Sequence, residues 1–368
     1  MRHSRTRPGS LAGLYGGTYM GRRVLVTGHT GFKGSWLALW LHELGAEVCG
    51  LALPPEPQQD HTARLGLPID EALVDLRDAG AVHDALARAR PEIVFHLAAQ
   101  ALVRRSYREP VATMTTNVMG LVHLLEAVRA TPSVRAVVNA TTDKCYAERH
   151  DALPRREDDP LGGHDPYSAS KACAEIVSAS WRASLLGRQV RLATARAGNV
   201  IGGGDWSEDR LVPDLVRATV AGRPLRLRHP HAVRPWQHVL EPLAGYLLLG
   251  QLLLDGDDGS AEAWNFGPDA DGHRSVGEVV EAFASHWPGV RVEHDSAPHP
   301  HENPRLELDC RKAHERLSWR PVWSLAETVG RTARWYRTWH ERGDLSTRID
   351  LNAYVRDARL ARLDWACA

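Results

Sequence analysis

Two short stretches hold the residue types that move protons. Thr141-Thr142-Asp143-Lys144-Cys145-Tyr146 follows the apolar, β-branched run Ala136-Val137-Val138, which places it at the C-terminal end of a buried strand. Tyr167-Ser168-Ala169-Ser170-Lys171 reads as the opening turns of a helix. Tyr167 and Lys171, four apart, share one helical face. A phenol titrates near pH 10, at about 10, and is a poor base at neutrality. A neighbouring ammonium stabilises the phenolate and makes the phenol a usable base. An acid, an amine, a hydroxyl and a tunable phenol thus converge on one strand edge. Tyr-x-x-x-Lys alone is common in helices, but lysine usage sharpens the reading. The chain has 45 Lys plus Arg, and its lysines are Lys33, Lys144, Lys171 and Lys312. Arg keeps its proton in a protein, whereas Lys can release it. Lysine persists in a glycine loop, beside Asp143 and four residues after Tyr167, where chemistry would need it.

These groups need a rigid frame, and alternating β and helical segments supply one. Arg22 to Gly28 reads as a short buried strand, followed by Gly28-His29-Thr30-Gly31-Phe32-Lys33-Gly34 and an apolar helix from Ser35 to Leu44. Strand, glycine loop and helix form the setting in which glycines admit a pyrophosphate to a helix N-terminus. The spacing is Gly-x-x-Gly-x-x-Gly. Glu47 to Leu53 is a second strand. The acid that usually holds the adenosine ribose is expected at its end, about 20 residues past the glycines. Gly50 to Pro54 contains neither an acid nor an Arg for a 2′-phosphate, so the cofactor choice leans to NAD. Ala72 to Asp78 reads as a strand ending in acids. Its Asp75 could bond the adenine amino group or cap the next helix. Pro91 to Ala99 and Val134 to Thr142 are further strands around a helix from Pro110 to Ala130 that contains Asn117. The Tyr167 helix extends to about Gly187, and Gln189 to Ala197 is another β-rich run. The predicted fold is α/β: a Rossmann-like, doubly wound parallel sheet with a smaller C-terminal substrate-binding lobe.

Beyond that run, Gly198-Asn199-Val200-Ile201-Gly202-Gly203-Gly204-Asp205-Trp206 suggests close backbone approach to a ligand. Arg226, Arg228 and Arg234 suit a diphosphate, or equally a solvated basic turn. The expected division is 20–197 plus 236–266 for the cofactor lobe and 198–235 plus 267–340 for the substrate lobe. Residues 1–19 read as a flexible tail, with Met20 an alternative start, and 341–368 as a C-terminal tail or arm.

Bulk properties narrow the function classes. Hydrophobic content of 43% and charged content of 24% are those of a globular protein. Formal net charge is zero, which gives no reason to expect nucleic acid or an anionic membrane as partner. No apolar run approaches the roughly 18 residues that span a bilayer. Five unpaired-looking cysteines fit a reducing cytoplasm, and no motif suggests a metal. Twelve Trp against four Phe is an excess the pattern does not explain.

The chain resembles the extended short-chain dehydrogenase/reductase family, and within it the nucleotide-sugar 4,6-dehydratases that act on CDP-glucose. The resemblance rests on Gly28 to Leu37, Thr142-Asp143-Lys144-Cys145-Tyr146, Tyr167 to Lys171, Gly198 to Trp206 and Arg234-Pro235-Trp236-Gln237-His238. Relatives acting on dTDP-glucose carry Asp-Glu where this chain has Asp143-Lys144. The resemblance implies NAD-dependent dehydration of a nucleotide hexose, CDP-glucose foremost. The alternatives are a dTDP- or GDP-hexose dehydratase, an NDP-hexose 4-epimerase, or a dinucleotide-sensing regulator. It implies that Tyr167 takes the 4-hydroxyl proton, Lys171 lowers the Tyr167 pKa and holds the nicotinamide ribose, and Thr142 bonds the 4-oxygen. Asp143 would protonate the leaving 6-hydroxyl, and Lys144 would remove the C5 proton. Gly28, Thr30, Gly31, Phe32, Gly34, Asp75, Leu76 and Ala98 would join Tyr167 and Lys171 in holding NAD. Asn199, Arg210 and Arg234 would bind the substrate. A homodimer or homotetramer through the helices at 110–130 and 166–187 is also implied.

Overall fold

The computed structural model describes the chain except residues 1–10, 56–60, 150–152, 296, 298–302, 304 and 368. Seven strands form one parallel sheet: β1 Arg23–Thr27, β2 Glu47–Ala52, β3 Asp70–Leu73, β4 Ile93–His96, β5 Ala136–Ala140, β6 Arg191–Ala197 and β7 Ala263–Phe266. Their order is β7-β6-β5-β4-β1-β2-β3. Strands covered on both faces must be apolar throughout, and every residue of β5 is buried. The chain winds outward in both directions from β1 and β4, so their C-terminal ends part into a crevice. Thr27 shapes that point: its hydroxyl accepts the Leu97 and Ala98 N–H groups, each at 3.1 Å.

The glycine loop joins β1 to α1 (Phe32–Glu43). Gly28 has φ +72°, and a Cβ there would lie 2.8 Å from the Ala98 nitrogen. A Cβ on Gly34 would lie 2.0 Å from the Gly28 carbonyl oxygen. The loop is closed on itself so tightly that only glycine fits. The expected strand at 72–78 is displaced: β3 ends at Leu73. Asp78, not Asp75, caps the following helix, accepting from Ala81 N–H at 3.0 Å.

The helical run Pro110–Arg129 corrects one expectation, because by length and composition it is apolar enough to cross a bilayer. Its Leu121, Leu124, Leu125 and Val128 are buried in the core on one face of the sheet, which accounts for the apolar content. The run widens into a π turn at Thr115–Met119. Asn117 in that turn bonds both backbone groups of Gln100 and the Ser170 hydroxyl, tying the end of β4 to the Tyr167 helix.

After β6 the chain makes short pieces over the C-terminal strand ends. The strand Leu225–Leu227 pairs with Val292–His294, and Val233–Pro235 pairs with His273–Ser275. The expected tails are corrected where they are described. Leu11, Leu14, Tyr15 and Tyr19 are buried in the core, and residues 1–10 lie outside the described residues. At the other end, helix Thr347–Leu360 buries Leu351, Tyr354, Val355 and Ala358, a 3.6-residue stripe. Trp365 stacks on Tyr15 at 5.1 Å and meets Trp40 edge-on at 5.8 Å. Trp36, Trp323, Trp335 and Trp339 extend this aromatic layer, which gives the tryptophan excess its physical role.

Candidate active site

β5 stops at Ala140, and the chain turns at once. Thr142 is extended and starts a single 3-10 turn, Asp143–Cys145. Its hydroxyl donates to Asp143 Oδ1 at 3.0 Å. Asp143 is 3% exposed, and its Oδ2 is buried with no hydrogen-bond partner among the described residues. Burial raises the Asp143 pKa, against the pull of Lys144, the Thr142 bond, Arg234 and Lys33. A carboxyl held above its ordinary range is suited to giving a proton.

Helix α2 (Pro166–Ser184) brings the phenol. Asp165 caps it, accepting from Ser168 N–H at 2.9 Å, and Pro166 opens its first turn. Lys171 Nζ donates to the Ala140 carbonyl at 3.2 Å, which locks the helix to the end of β5. Tyr167 and Lys171 are both buried, at 8% exposure. The two stretches therefore meet. Thr142, Asp143, Lys144 and Tyr167 line one cavity of about 300 Å³. Tyr167 and Lys171 also line the adjoining groove of about 670 Å³.

The electrostatics differ from expectation at one point. Burial pushes the Tyr167 phenol up to about 12, and the leading counterweight is Arg210, followed by a hydrogen bond with Thr142. Lys171, itself pushed down to about 8 by burial, is committed to the Ala140 carbonyl. In this geometry Arg210 is the cation that favours the phenolate. Arg210 in turn donates to Asp205 at 3.1 Å.

Two participants were not assigned from sequence. Lys33 lines both cavities, and burial with Arg210 and Lys171 nearby lowers it to about 7. Its rarity among basic residues was the available signal. Glu175, four residues after Lys171, is buried beneath the site and takes hydrogen bonds from Thr141, Thr194 and Arg196. It supports the Lys171 charge.

The predicted cofactor residues gather as well. Gly28, Thr30, Gly31, Phe32, Gly34, Asp75, Leu76 and Ala98 all line the larger groove. Asp75 pairs with Arg77 at 2.6 Å, and that hydrogen bond holds its carboxyl below the usual range. Leu51 to Pro55 offer the groove no carboxylate, in keeping with the sequence. A glycine cradle at a helix N-terminus, beside a long groove, fits a dinucleotide diphosphate. Asn199, Arg210 and Arg234 line the smaller cavity, as do Arg226 and Arg228. The basic cluster is thus split: Arg228 holds Asp209 at 3.2 Å, while the Arg226 side chain is largely in solvent. The glycines at 203–204 make their close approach elsewhere. A Cβ on Gly203 would strike Trp335, and one on Gly204 would strike His61. Among the described residues, no cluster of His, Cys, Asp or Glu could hold a metal ion.

Residues 25–332 match the family model described as GDP-mannose 4,6 dehydratase. The chain is 47% identical over 330 residues to CDP-glucose 4,6-dehydratase of Salmonella typhimurium, covering 87% of this chain and 92% of the relative. It is 31% identical to dTDP-glucose 4,6-dehydratase of Streptomyces antibioticus, covering 85% and 92%. Among solved structures, a DesIV double mutant (dTDP-glucose 4,6-dehydratase) from Streptomyces venezuelae with NAD and DAU bound superposes with a TM-score of 0.72 at 26% identity, covering 86% of this chain and 97% of that one. The chain belongs to the extended short-chain dehydrogenase/reductase family, among its NAD-dependent nucleotide-sugar 4,6-dehydratases.

Proposed function

We propose that this protein converts CDP-D-glucose to CDP-4-keto-6-deoxy-D-glucose for deoxysugar biosynthesis in the cytoplasm. The observation that carries this reading is the convergence of Thr142, Asp143, Lys144 and Tyr167 on one cavity, sharing a wall with the dinucleotide groove. The identity to the Salmonella typhimurium enzyme supports the choice of nucleotide. Residues 20–197 and 236–266 form the cofactor lobe in this reading, and 198–235 with 267–340 form the substrate lobe.

NAD would be held along the larger groove by the glycine cradle and Lys171, where it would supply a hydride acceptor for C4 and a hydride donor for C6. The protein's own groups handle the protons. Tyr167 Oη takes the proton of the 4-hydroxyl, with Arg210 offsetting the cost of a buried phenolate. Thr142 Oγ1, bonded to Asp143 and beside Tyr167, holds the 4-oxygen in this reading. Once C4 is a ketone the C5 proton is acidic; Lys144 takes it and gives it back to C5 when hydride enters at C6. Asp143 gives its proton to the departing 6-hydroxyl, a role its burial favours. Asn199 and Arg234 bind the diphosphate. Lys171 orients the nicotinamide ribose, and the glycine cradle holds the cofactor pyrophosphate. Val111, Met119 and Ile176 leave apolar surface exposed on the helices at 110–129 and 166–184, which supports a homodimer or homotetramer through that face.

The test is incubation of the NAD-loaded enzyme with CDP-, dTDP-, UDP- and GDP-hexoses. A 4-keto-6-deoxy product from CDP-glucose is expected. A C4 epimer, or dehydration of another nucleotide hexose in preference, would replace this reading.

A further inference from the structure

The smaller cavity continues past the proton-transfer groups. Beyond Arg210 and Arg234 its wall is built by helix Leu211–Val220, the strand Leu225–Leu227 and the start of helix Val276–His286. That wall is aliphatic at Val212, Leu225, Leu227 and Val276, and charged side chains interrupt it, Asp214 and Arg228 among them. Each of these two is tethered by one atom. Asp214 Oδ1 accepts from Arg217, which also donates to the Trp206 and Ser207 carbonyls. Among the described residues nothing engages Asp214 Oδ2. Arg228 donates Nη1 to Asp209 at 3.2 Å, and its Nε and Nη2 are not engaged by any described residue. Arg228 also lies close enough to act on the Asp214 charge. This end of the cavity thus offers an aliphatic wall with a tethered acceptor and a tethered donor.

A pyrimidine base fits that description, and the pattern selects among pyrimidines. Cytosine presents an amino group at C4 and acceptors at N3 and O2. Uracil and thymine present a carbonyl at C4 and an N–H at N3. A carboxylate facing C4 attracts the amine and repels the carbonyl, and a guanidinium cannot pair with the N3–H.

We propose that Asp214 and Arg228 read the base of the nucleotide sugar, with Asp214 Oδ2 accepting the 4-amino group of cytosine and Arg228 donating to its N3 and O2 edge. This rests on the function proposed above and names the residues that make cytidine the preferred nucleoside. If Asp214 served only as a first-turn acid of its helix, paired with Arg217, it would confer no preference among bases.

The test uses calorimetry on the NAD-loaded enzyme with CDP, UDP and dTDP, so it needs no turnover. Wild type is expected to bind CDP more tightly than either other nucleotide. Asp214→Asn, whose amide can donate to O4, should cut the CDP-over-UDP preference by about tenfold or more. Arg217→Gln removes the helix pair but keeps the carboxylate, and should retain the ranking of the three nucleotides. Equal weakening of CDP and UDP in D214N, or loss of the ranking in R217Q with its retention in D214N, would overturn the proposal. If wild type prefers CDP but forms no keto sugar from CDP-glucose, the catalytic reading fails and the base reading stands. If keto sugar forms and D214N keeps the wild-type ranking, the reverse holds.

Discussion

At the residue scale, the decisive question is what makes a buried phenol a base. Burial alone drives Tyr167 the wrong way, up to about 12, and Arg210 is the first group to oppose it. Arg210→Gln removes that opposition, so the phenol pKa rises further. The ascending limb of kcat against pH should then move to higher pH, by about one unit or more. A limb that stays in place would show that Arg210 does not tune Tyr167. Asp143 poses the complementary question. Asp143→Asn keeps the shape of the side chain but has no proton to give the 6-hydroxyl. Elimination should slow about a hundredfold or more while C4 oxidation proceeds. Reduced nicotinamide absorbance should therefore build up on the mutant during turnover. Unchanged turnover would remove Asp143 from the acid role. Part of the site was legible because lysine is scarce in this arginine-rich chain: Lys33, Lys144 and Lys171, three of its four lysines, line the two cavities. The sequence could not show that Arg210 would outrank Lys171 beside the phenol. That ranking depends on Lys171 being turned onto the Ala140 carbonyl, a contact between residues 31 apart in sequence.

At the element scale, the site is a consequence of where strands end. The β1 loop, the β4 end and the β5 turn all face one crevice because the sheet winds both ways from β1 and β4. The sequence showed this well, since strand, glycine loop and helix follow one another without interruption from Arg23 to Glu43. Local signals were misread where a side chain answers to a distant partner. Gly203 and Gly204 suggested a ligand, but their missing side chains make room for Trp335 and His61. The sequence offered Asp75 as a cap, whereas the backbone geometry gives that role to Asp78. Gly34 gives the sharpest test of the loop. Gly34→Ala must push the Gly28 carbonyl out of its place, an overpacking cost of about 1–3 kcal/mol. The variant should fold with a lowered Tm and lose most of its bound NAD. Retention of NAD at the wild-type level would mean that the loop adjusts and is not a fixed cradle.

At the scale of the whole molecule, residues 11–19 and 347–367 contribute to the core and brace the site from behind. Tyr15 packs on Trp365, His61 links Ser35 to Thr347, and Tyr336 donates to the carbonyl of Asp205, the partner of Arg210. Composition hid this. Helix Thr347–Leu360 carries its apolar stripe among enough Arg and Asp to resemble a solvated tail. The same layer contains a titratable junction, Glu241, fully buried and raised to about 7 by burial. It accepts from Tyr354 Oη and from the Val322 and Trp323 N–H groups, so it joins the sheet-covering helix Leu240–Asp255 to the C-terminal helices. A carboxyl raised in the folded state contributes stability that is complete below its unfolded pKa, about 4.3, and lost as pH rises through about 7. Tyr354→Phe removes one donor to the charged form, so the Glu241 pKa rises further. The variant should be less stable than wild type by about 1–3 kcal/mol at pH 8, with a smaller deficit at pH 5, where Glu241 is protonated in both proteins. Urea unfolding at the two pH values measures this directly. An equal deficit at both would mean that Tyr354 contributes packing alone, and that the carboxylate between the helices is held by its two backbone donors.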